Sequence, residues 1–164
     1  MAEDILVKNN TQVETVSMEK YLTFFIDGQL FAIPSSEVVE IIRMQPITFV
    51  PKIPPFIIGV INLRGKIVPL VDVRLKFNKE KREYDDHTSI IVAEVNDLSV
   101  GLIVDSVNDV TNIAKNQISD TPRLSKDTTN SFVKGIATLN ENAVMILDIE
   151  RILADEDDDQ IPEN

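Results

Sequence analysis

Cysteine and tryptophan are absent from the 164 residues, histidine occurs once, and the five glycines never cluster. Without cysteine there are no disulfides, thiolate nucleophiles, iron–sulfur clusters or thiolate zinc sites, and the composition suits a reducing compartment. A phosphate cradle needs clustered glycines running into a helix. The glycines at 28, 59, 65, 101 and 135 stand singly among apolar runs, which disfavours nucleotide binding. Lys52, Arg64, Lys66 and Asp72 interrupt the richest apolar region, so no stretch approaches the ~20 apolar residues of a membrane-spanning helix. The first twenty residues carry Glu3, Asp4, Glu14 and Glu19 and no apolar block after a basic start. They do not read as a signal peptide, and the cytoplasm is the expected location, with no direct membrane insertion.

Charge narrows the partners. Sixteen basic against 27 acidic residues leave a net charge of −11, which repels phosphate backbones. A basic cluster from Arg64 to Arg82 is diluted by Asp72, Glu80 and the adjoining Glu83, and its aromatics are sparse, Phe77 within it and Tyr84 beside it, so no nucleic-acid partner is expected. Catalytic candidates are equally few. His87 follows Asp85 and Asp86 at the end of a polar loop, with Ser89 and Ser99 as conceivable partners. No second imidazole is available, no glycine-flanked turn exposes a serine, and adjacent residues do not converge on one ion. The sequence therefore predicts no catalytic residue, no metal ligand and no cofactor. A small β-barrel enzyme using His87 and a nucleic-acid-binding barrel are the alternatives from other classes.

What is present is a series of short strands. Tyr21 to Ile26 and Gln29 to Ile33 flank Asp27-Gly28, a tight-turn pair, and predict a hairpin. Pro34-Ser35-Ser36 offers a helix cap, and Val38, Val39, Ile41 and Ile42 at i, i+3 and i+4 spacings predict a short helix before Pro46. Four prolines, 46, 51, 54 and 55, make 46–56 an irregular connector. Ile57 to Leu63 and Lys66 to Val71 form apolar runs around Arg64-Gly65, with Pro69 demoting the second to an edge or bulged position. Residues 78–86 are a charged loop. Further hairpins are predicted for Thr88 to Val95 with Leu98 to Val104, and for Val133 to Leu139 with Ala143 to Leu147 around Asn140-Glu141-Asn142. Residues 105–129 read as turns and irregular chain. Asp148 can cap a terminal helical turn with Ile149, Ile152 and Leu153 on one face. No repeat period is visible. Strands at this spacing argue for small barrels or a sandwich, the profile of a binding module. In such a module an aliphatic like Val38 or Val110, once covered by a partner, contributes roughly 1.5–3 kcal/mol, against about 0–1 for an exposed ion pair.

The run GVINLRGKIVPLVDVR, Gly59 to Arg74, closely resembles the signature of the CheW family of chemotaxis coupling proteins. The likeness extends back through YLTFFIDGQLFAI and VVEII and forward through HTSIIVAEVNDLSVGLIVDSVNDV and GIATLNENAVMILDIERIL, covering Glu19 to Leu153. The resemblance implies a mainly β fold of two five-stranded barrels packed on a shared hydrophobic seam, with the chain ends interleaved between them. It implies a leader over 1–18, one CheW-like domain over 19–153 and an acidic tail over 154–164. It further implies a scaffold without an active site that links the cytoplasmic tips of chemoreceptors to the regulatory domain of the histidine kinase CheA, or a related adaptor in a surface-motility pathway. The family's receptor-facing groove would map onto Val38, Glu40, Arg64, Val107 and Val110. The leader is expected to be loose and the tail, with six acids in its last ten residues, to be solvated.

Overall fold

The computed structural model describes residues 3–9, 12–51, 56–120 and 132–154, with side chains for 17–51, 56–120 and 132–153. Four two-residue turns organise the strands. Asp27-Gly28, Arg64-Gly65, Asn96-Asp97 and Asn140-Glu141 all hold both central residues at positive φ, the primed geometry whose twist matches that of paired strands. They join β2 (Gln12–Ile26) to β3 (Gln29–Pro34), β5 (Ile57–Leu63) to β6 (Lys66–Asp72), β7 (Ser89–Val95) to β8 (Leu98–Val104), and β11 (Val133–Leu139) to β12 (Asn142–Leu147).

The strands sort into two sheets. In the first, β3 runs parallel to β12, which carries β11 and then β10 (Ile118–Ser119). On the other side, β2 pairs with β3 and β9 (Ser106–Ala114) through its second half, and with β1 (Glu3–Asn9) through its first. In the second sheet the order is β4-β7-β8-β6-β5, with β4 spanning Val38–Arg43 and β6 parallel to β8. The edges of both sheets are bridged. A 3-10 turn at Lys115–Gln117 carries the chain from β9, at one edge of the first sheet, to β10 at the other. In the second, the chain leaving β4 returns at Thr48, whose N–H and C=O exchange 2.9 Å bonds with Val60 of β5. Closure leaves few unpaired edges for other chains to join.

The two barrels are copies of one unit. Gly59 to Val73 matches Gly135 to Ile149 with every residue 76 positions on: both segments turn at positive φ (Arg64-Gly65, Asn140-Glu141), bulge at their glycine, and end on an aspartate before a short helix. Asp72 N–H donates to Phe56 O at 2.9 Å, and Asp148 N–H to Phe132 O at 2.8 Å. Hairpin β2–β3 matches β7–β8 at 69 positions, and Ala32 opposite Ile146 matches Gly101 opposite Leu70. The order of parts is permuted. In the second barrel the outer strand, β4, leads and its two hairpins follow. In the first, one hairpin comes early and the rest only after the whole second barrel. This interleaving is the one expected, and the repeat escaped the sequence because side-chain identity is kept at only a few positions, such as Leu63 with Leu139 and Val68 with Val144.

The central strands, β3, β6, β7, β8, β12 and the second half of β2, bury both faces. Inside the first barrel lie Tyr21, Ala32, Ile113, Ala137, Val144 and Ile146; inside the second, Ile61, Val68, Leu70, Ile90, Val92 and Ile103. The opposite faces meet in a larger core shared by both, including Leu22, Phe24, Phe31 and Leu147 from one sheet and Val71, Ile91, Leu102 and Val104 from the other. Phe24, Phe31, Phe77 and Phe132 form a continuous aromatic run through it, with centroid separations of 6.1, 5.5 and 5.8 Å.

A polar clasp binds the barrels at one end. Asp105, between β8 and β9, accepts Arg74 Nη1 at 2.7 Å, Arg82 Nη1 at 3.3 Å and the Asp27 N–H at 2.7 Å. Arg74 belongs to helix α1 (Val73–Lys76), whose N-terminus Asp72 caps by accepting Arg74 N–H at 3.0 Å. The other Asp72 oxygen accepts the Tyr84 hydroxyl at 2.7 Å. At the far end Asp148 caps α2 (Ile149–Ala154), the predicted terminal turn.

Four expectations are corrected. The short helix over Val38 to Ile42 is a 3-10 turn, Ser35–Glu37, followed by strand β4, because four β-branched residues pair with β7 and alternate in burial with period two. Residues 106–114 are strand β9, whose outward face is polar because it lies at the rim of the sheet. Pro69 sits in an interior strand, tolerated because the ladder with β8 begins one residue later, at Leu70. The leader, expected to be loose, pairs over Glu3–Asn9 with the first half of β2, which its β-branched residues Ile5, Val7, Val13 and Val16 favour. Of the acidic tail expected over 154–164 all but Ala154 falls outside the described residues, as do residues 121–129 of the stretch expected to be irregular.

Closure of the second barrel depends on Gly59. Its φ is +153°, and an added Cβ would lie 2.5 Å from Thr48 O and from Ile47 Cγ2, the backbone contact that closes the sheet. Gly65, at φ +87°, has open space around it. Gly59→Ala is expected to cost at least about 3 kcal/mol and Gly65→Ala about 1–2 kcal/mol, read from urea unfolding midpoints. Tyr84 supplies a pH prediction. Burial, then the hydrogen bond and charge of Asp72, push its phenol far above the ordinary value of 10.0. The folded state thus holds a proton that the unfolded state releases, so this stability is complete below pH 10 and is lost as pH rises beyond it. Unfolding midpoints should fall on the alkaline side, and Tyr84→Phe should flatten the fall. Tyr21, also raised by burial and by Glu19, leaves a residual slope.

Candidate functional site

The bulge that starts β4 sets the site. Val38 faces Ala93 and Glu40 faces Val92, so one extra residue, Val39, is accommodated between two ladder positions and turns Glu40 toward the β5–β6 hairpin. There Arg64 occupies the first turn position at φ +52°, and Asn62 Oδ1 accepts the Gly65 N–H at 2.8 Å, holding the turn. Arg64 Nη2 pairs directly with Glu40 Oε2; the arginine side chain is 68% exposed and the glutamate 27%. Twenty-four residues separate these two charges in sequence, and closure of the second barrel brings them together.

The apolar members surround the seam. Val38 and Val107 are partly buried, both packed against the shared core. They are equivalent positions of the two barrels: Val38 opposes Ala93 as Val107 opposes Phe24. Val110 is 54% exposed on β9, equivalent to exposed Ile41 on β4. The structure therefore joins Glu40 to Arg64 and sets Val38 and Val107 against one core, while Val110 stands on the other sheet from the ion pair. Sequence reasoning did not single out Val39 and Ile41, which form an exposed aliphatic pair on β4 beside Glu40. Read as strand, their period-two spacing would have marked them. Just before Val38, Glu37 has its carboxyl raised above the usual range, chiefly by burial and against the lowering effect of Lys134.

No comparable arrangement surrounds His87. Its side chain is 81% exposed and its Nδ1 lies 4.0 Å from Asp85 Oδ1. Asp85 instead caps the local turn: it accepts the N–H groups of His87 at 2.8 Å and Thr88 at 3.1 Å, and these bonds, the His87 one foremost, lower its carboxyl below the ordinary range. Among the described residues no group of three or more histidines, cysteines, aspartates or glutamates is placed to hold a metal ion, and no helix is long and apolar enough to cross a membrane. The chemistry that the paired charges and flanking aliphatics supply is adhesion: desolvation from the aliphatics, orientation from the ions.

Comparison with known proteins gives the same picture. A family model described as the CheW-like domain matches residues 20–157. The chain is 35% identical over 144 residues to a chemotaxis protein CheW of Klebsiella aerogenes, covering 88% of this chain and 86% of that one. It is 34% identical over 135 residues to the CheW of Bacillus subtilis, covering 82% and 86%. The crystal structure of the scaffolding protein TtCheW from Thermoanaerobacter tengcongensis superposes with a TM-score of 0.77 at 33% identity, covering 83% of this chain and 92% of that one. Twin closed barrels on one seam, the Glu40–Arg64 corner and these matches along most of its length together make the chain a member of the CheW-like domain family.

Proposed function

We propose that this protein is a non-catalytic cytoplasmic scaffold that couples chemoreceptors to the histidine kinase CheA in bacterial chemotaxis. The observation that carries the reading is the exposed Glu40–Arg64 pair, held by the β4 bulge and the β5–β6 turn beside aliphatics that include Val38, Val39 and Ile41. A receptor tip packing there covers the aliphatics, each contributing roughly 1.5–3 kcal/mol, while the two charges select its register and reject mismatched partners. Val107 and Val110 extend the same contact along β9. The coupling domain spans 19–153. The kinase, through its regulatory domain, takes a separate face, so that one small molecule bridges two large ones.

Reconstitution tests the reading. A receptor signalling fragment and CheA are mixed with and without this protein, and kinase autophosphorylation is measured. Stimulation that requires all three components is expected; full activity in its absence overturns the proposal. Arg64→Glu places two carboxylates together at an exposed turn. It should leave the melting temperature nearly unchanged, because an exposed pair contributes about 0–1 kcal/mol, yet lower receptor co-sedimentation roughly ten-fold or more. Glu40→Arg combined with Arg64→Glu restores an internal pair with reversed polarity. Co-sedimentation should stay low in that double variant, since the partner reads the sign of each charge. His87→Ala should behave as wild type throughout.

A further inference from the structure

The internal repeat produces a second corner with the same construction as the Glu40–Arg64 site but a different filling. On β9 the bulge between the positions facing Phe24 and Leu22 presents Asn108 and Asp109, as the β4 bulge presents Val39 and Glu40. The β11–β12 turn presents Asn140 at φ +48°, as the β5–β6 turn presents Arg64 at φ +52°. Asp109 therefore stands where Glu40 does, and an asparagine stands where the arginine does. Between them lies an open cleft of about 370 Å³, with Asn108, Asp109, Gln117, Asn140 and Asn142 on its walls.

Its floor is rigid. Thr23 is 1% exposed; its hydroxyl lies 2.9 Å from Asp109 O and 3.0 Å from Asp109 Oδ1, donating to one of them, and accepts the Asp109 N–H at 3.1 Å and the Asn108 side-chain amide at 3.0 Å, an amide that also reaches Asp109 Oδ1 at 3.3 Å and leaves Oδ2 for the cleft. These bonds lock the bulge and hold Asp109 at the cleft. No lining residue is cationic, and among the described residues no lysine or arginine pairs with Asp109. In the other barrel the equivalent carboxylate has its guanidinium from the neighbouring turn. Here no described residue supplies a cation at the equivalent position; the walls carry the side-chain amides of Asn108, Asn140 and Asn142, whose oxygens can accept from a planar fork of N–H donors, while Gln117 Oε1 already accepts the Ala114 N–H at 2.7 Å.

We propose that this cleft is a binding site for an arginine side chain presented on a loop or peptide of a partner protein. The guanidinium supplies from outside the cation that Arg64 supplies internally in the other barrel, donating to the Asp109 carboxylate and to the amide oxygens of the walls. Charge-assisted bonds of this kind are about twice as strong as neutral ones, and the net charge of −11 favours a basic segment's approach. Arginine fits better than lysine because several acceptors flank one carboxylate, and a point charge with three donors uses fewer of them.

The test uses the full-length protein, 15N-labelled and titrated with the peptide acetyl-Gly-Arg-Gly-amide and with its citrulline and lysine counterparts. Expected are saturable shifts at Asn108, Asp109 and the side-chain amides of Asn140 and Asn142. The apparent affinity should be roughly ten-fold weaker for citrulline, intermediate for lysine, and the shifts lost in Asp109→Asn, which keeps the Thr23 bonds. Asn140→Arg copies the other corner onto a turn whose backbone already accepts arginine, so it should abolish the peptide shifts without lowering the melting temperature. Shifts absent from these residues, equal responses to arginine and citrulline, a lysine response as strong as the arginine one, or insensitivity to Asp109→Asn would each overturn the proposal.

Discussion

Burial of the central strands on both faces is the constraint on which the molecule rests. Six buried side chains fill each barrel, too small a core to hold about sixty residues folded alone. The outer faces of the same strands supply the remainder, meeting in one core that neither barrel owns. β7 illustrates this: Ile90 and Val92 point into its barrel, Ile91 and Ala93 into the seam. Its consecutive apolar run is therefore no failure of alternation but the signature of two interiors. Separation of the barrels would expose the Phe24–Phe31–Phe77–Phe132 run as well as break the ion pairs of Asp105. The two halves consequently fold and persist as one unit.

Permuted duplication explains how so short a chain encloses three cores. The second barrel is built from residues that follow one another, whereas the first is assembled from both ends of the domain around it. Pairing of β3 with β12 closes the first barrel across the whole length of the second, a long-range contact of the kind that slows folding. Asp105 stands at the crossing point, where the chain passes from β8 of one barrel to β9 of the other, and it gathers Arg74, Arg82 and the Asp27 amide there. A partly buried carboxylate with several donors is costly to leave alone and well held when all are present. That arrangement fixes the angle between the barrels, and with it the disposition of Val38 and Val107 on the common core.

Equivalent corners also carry different side chains. The bulge and the turn recur, but one corner carries Glu40 with Arg64 among exposed aliphatics, and the other carries Asp109 among amides. Duplicated geometry with divergent side chains lets a single domain present two chemically distinct surfaces without a second scaffold.

Much was legible in the residues themselves. Asp27-Gly28, Arg64-Gly65, Asn96-Asp97 and Asn140-Glu141 mark turns through a local backbone requirement, and Asp148 caps a helix within its own segment. The run from Gly59 to Arg74 carried the family resemblance and, with it, Glu40 and Arg64. Val38 to Ile42 misled because five residues with four aliphatics satisfy both a helical and a strand period, and only the partner strand β7 resolves the ambiguity. β9 was missed for a related reason: a rim strand with a polar face lacks the apolar pattern that announces its neighbours. The sequence alone determined where the chain turns, which segments avoid water and which reactive groups are missing, since each follows from properties of one residue or its immediate neighbours. Tertiary structure alone decided that Thr48 meets Val60, that Asp105 gathers its two arginines, and that carboxylate and guanidinium pair at one corner and not at the other. Those outcomes depend on contacts between distant segments, and such contacts acquire an energy only once the barrels have closed.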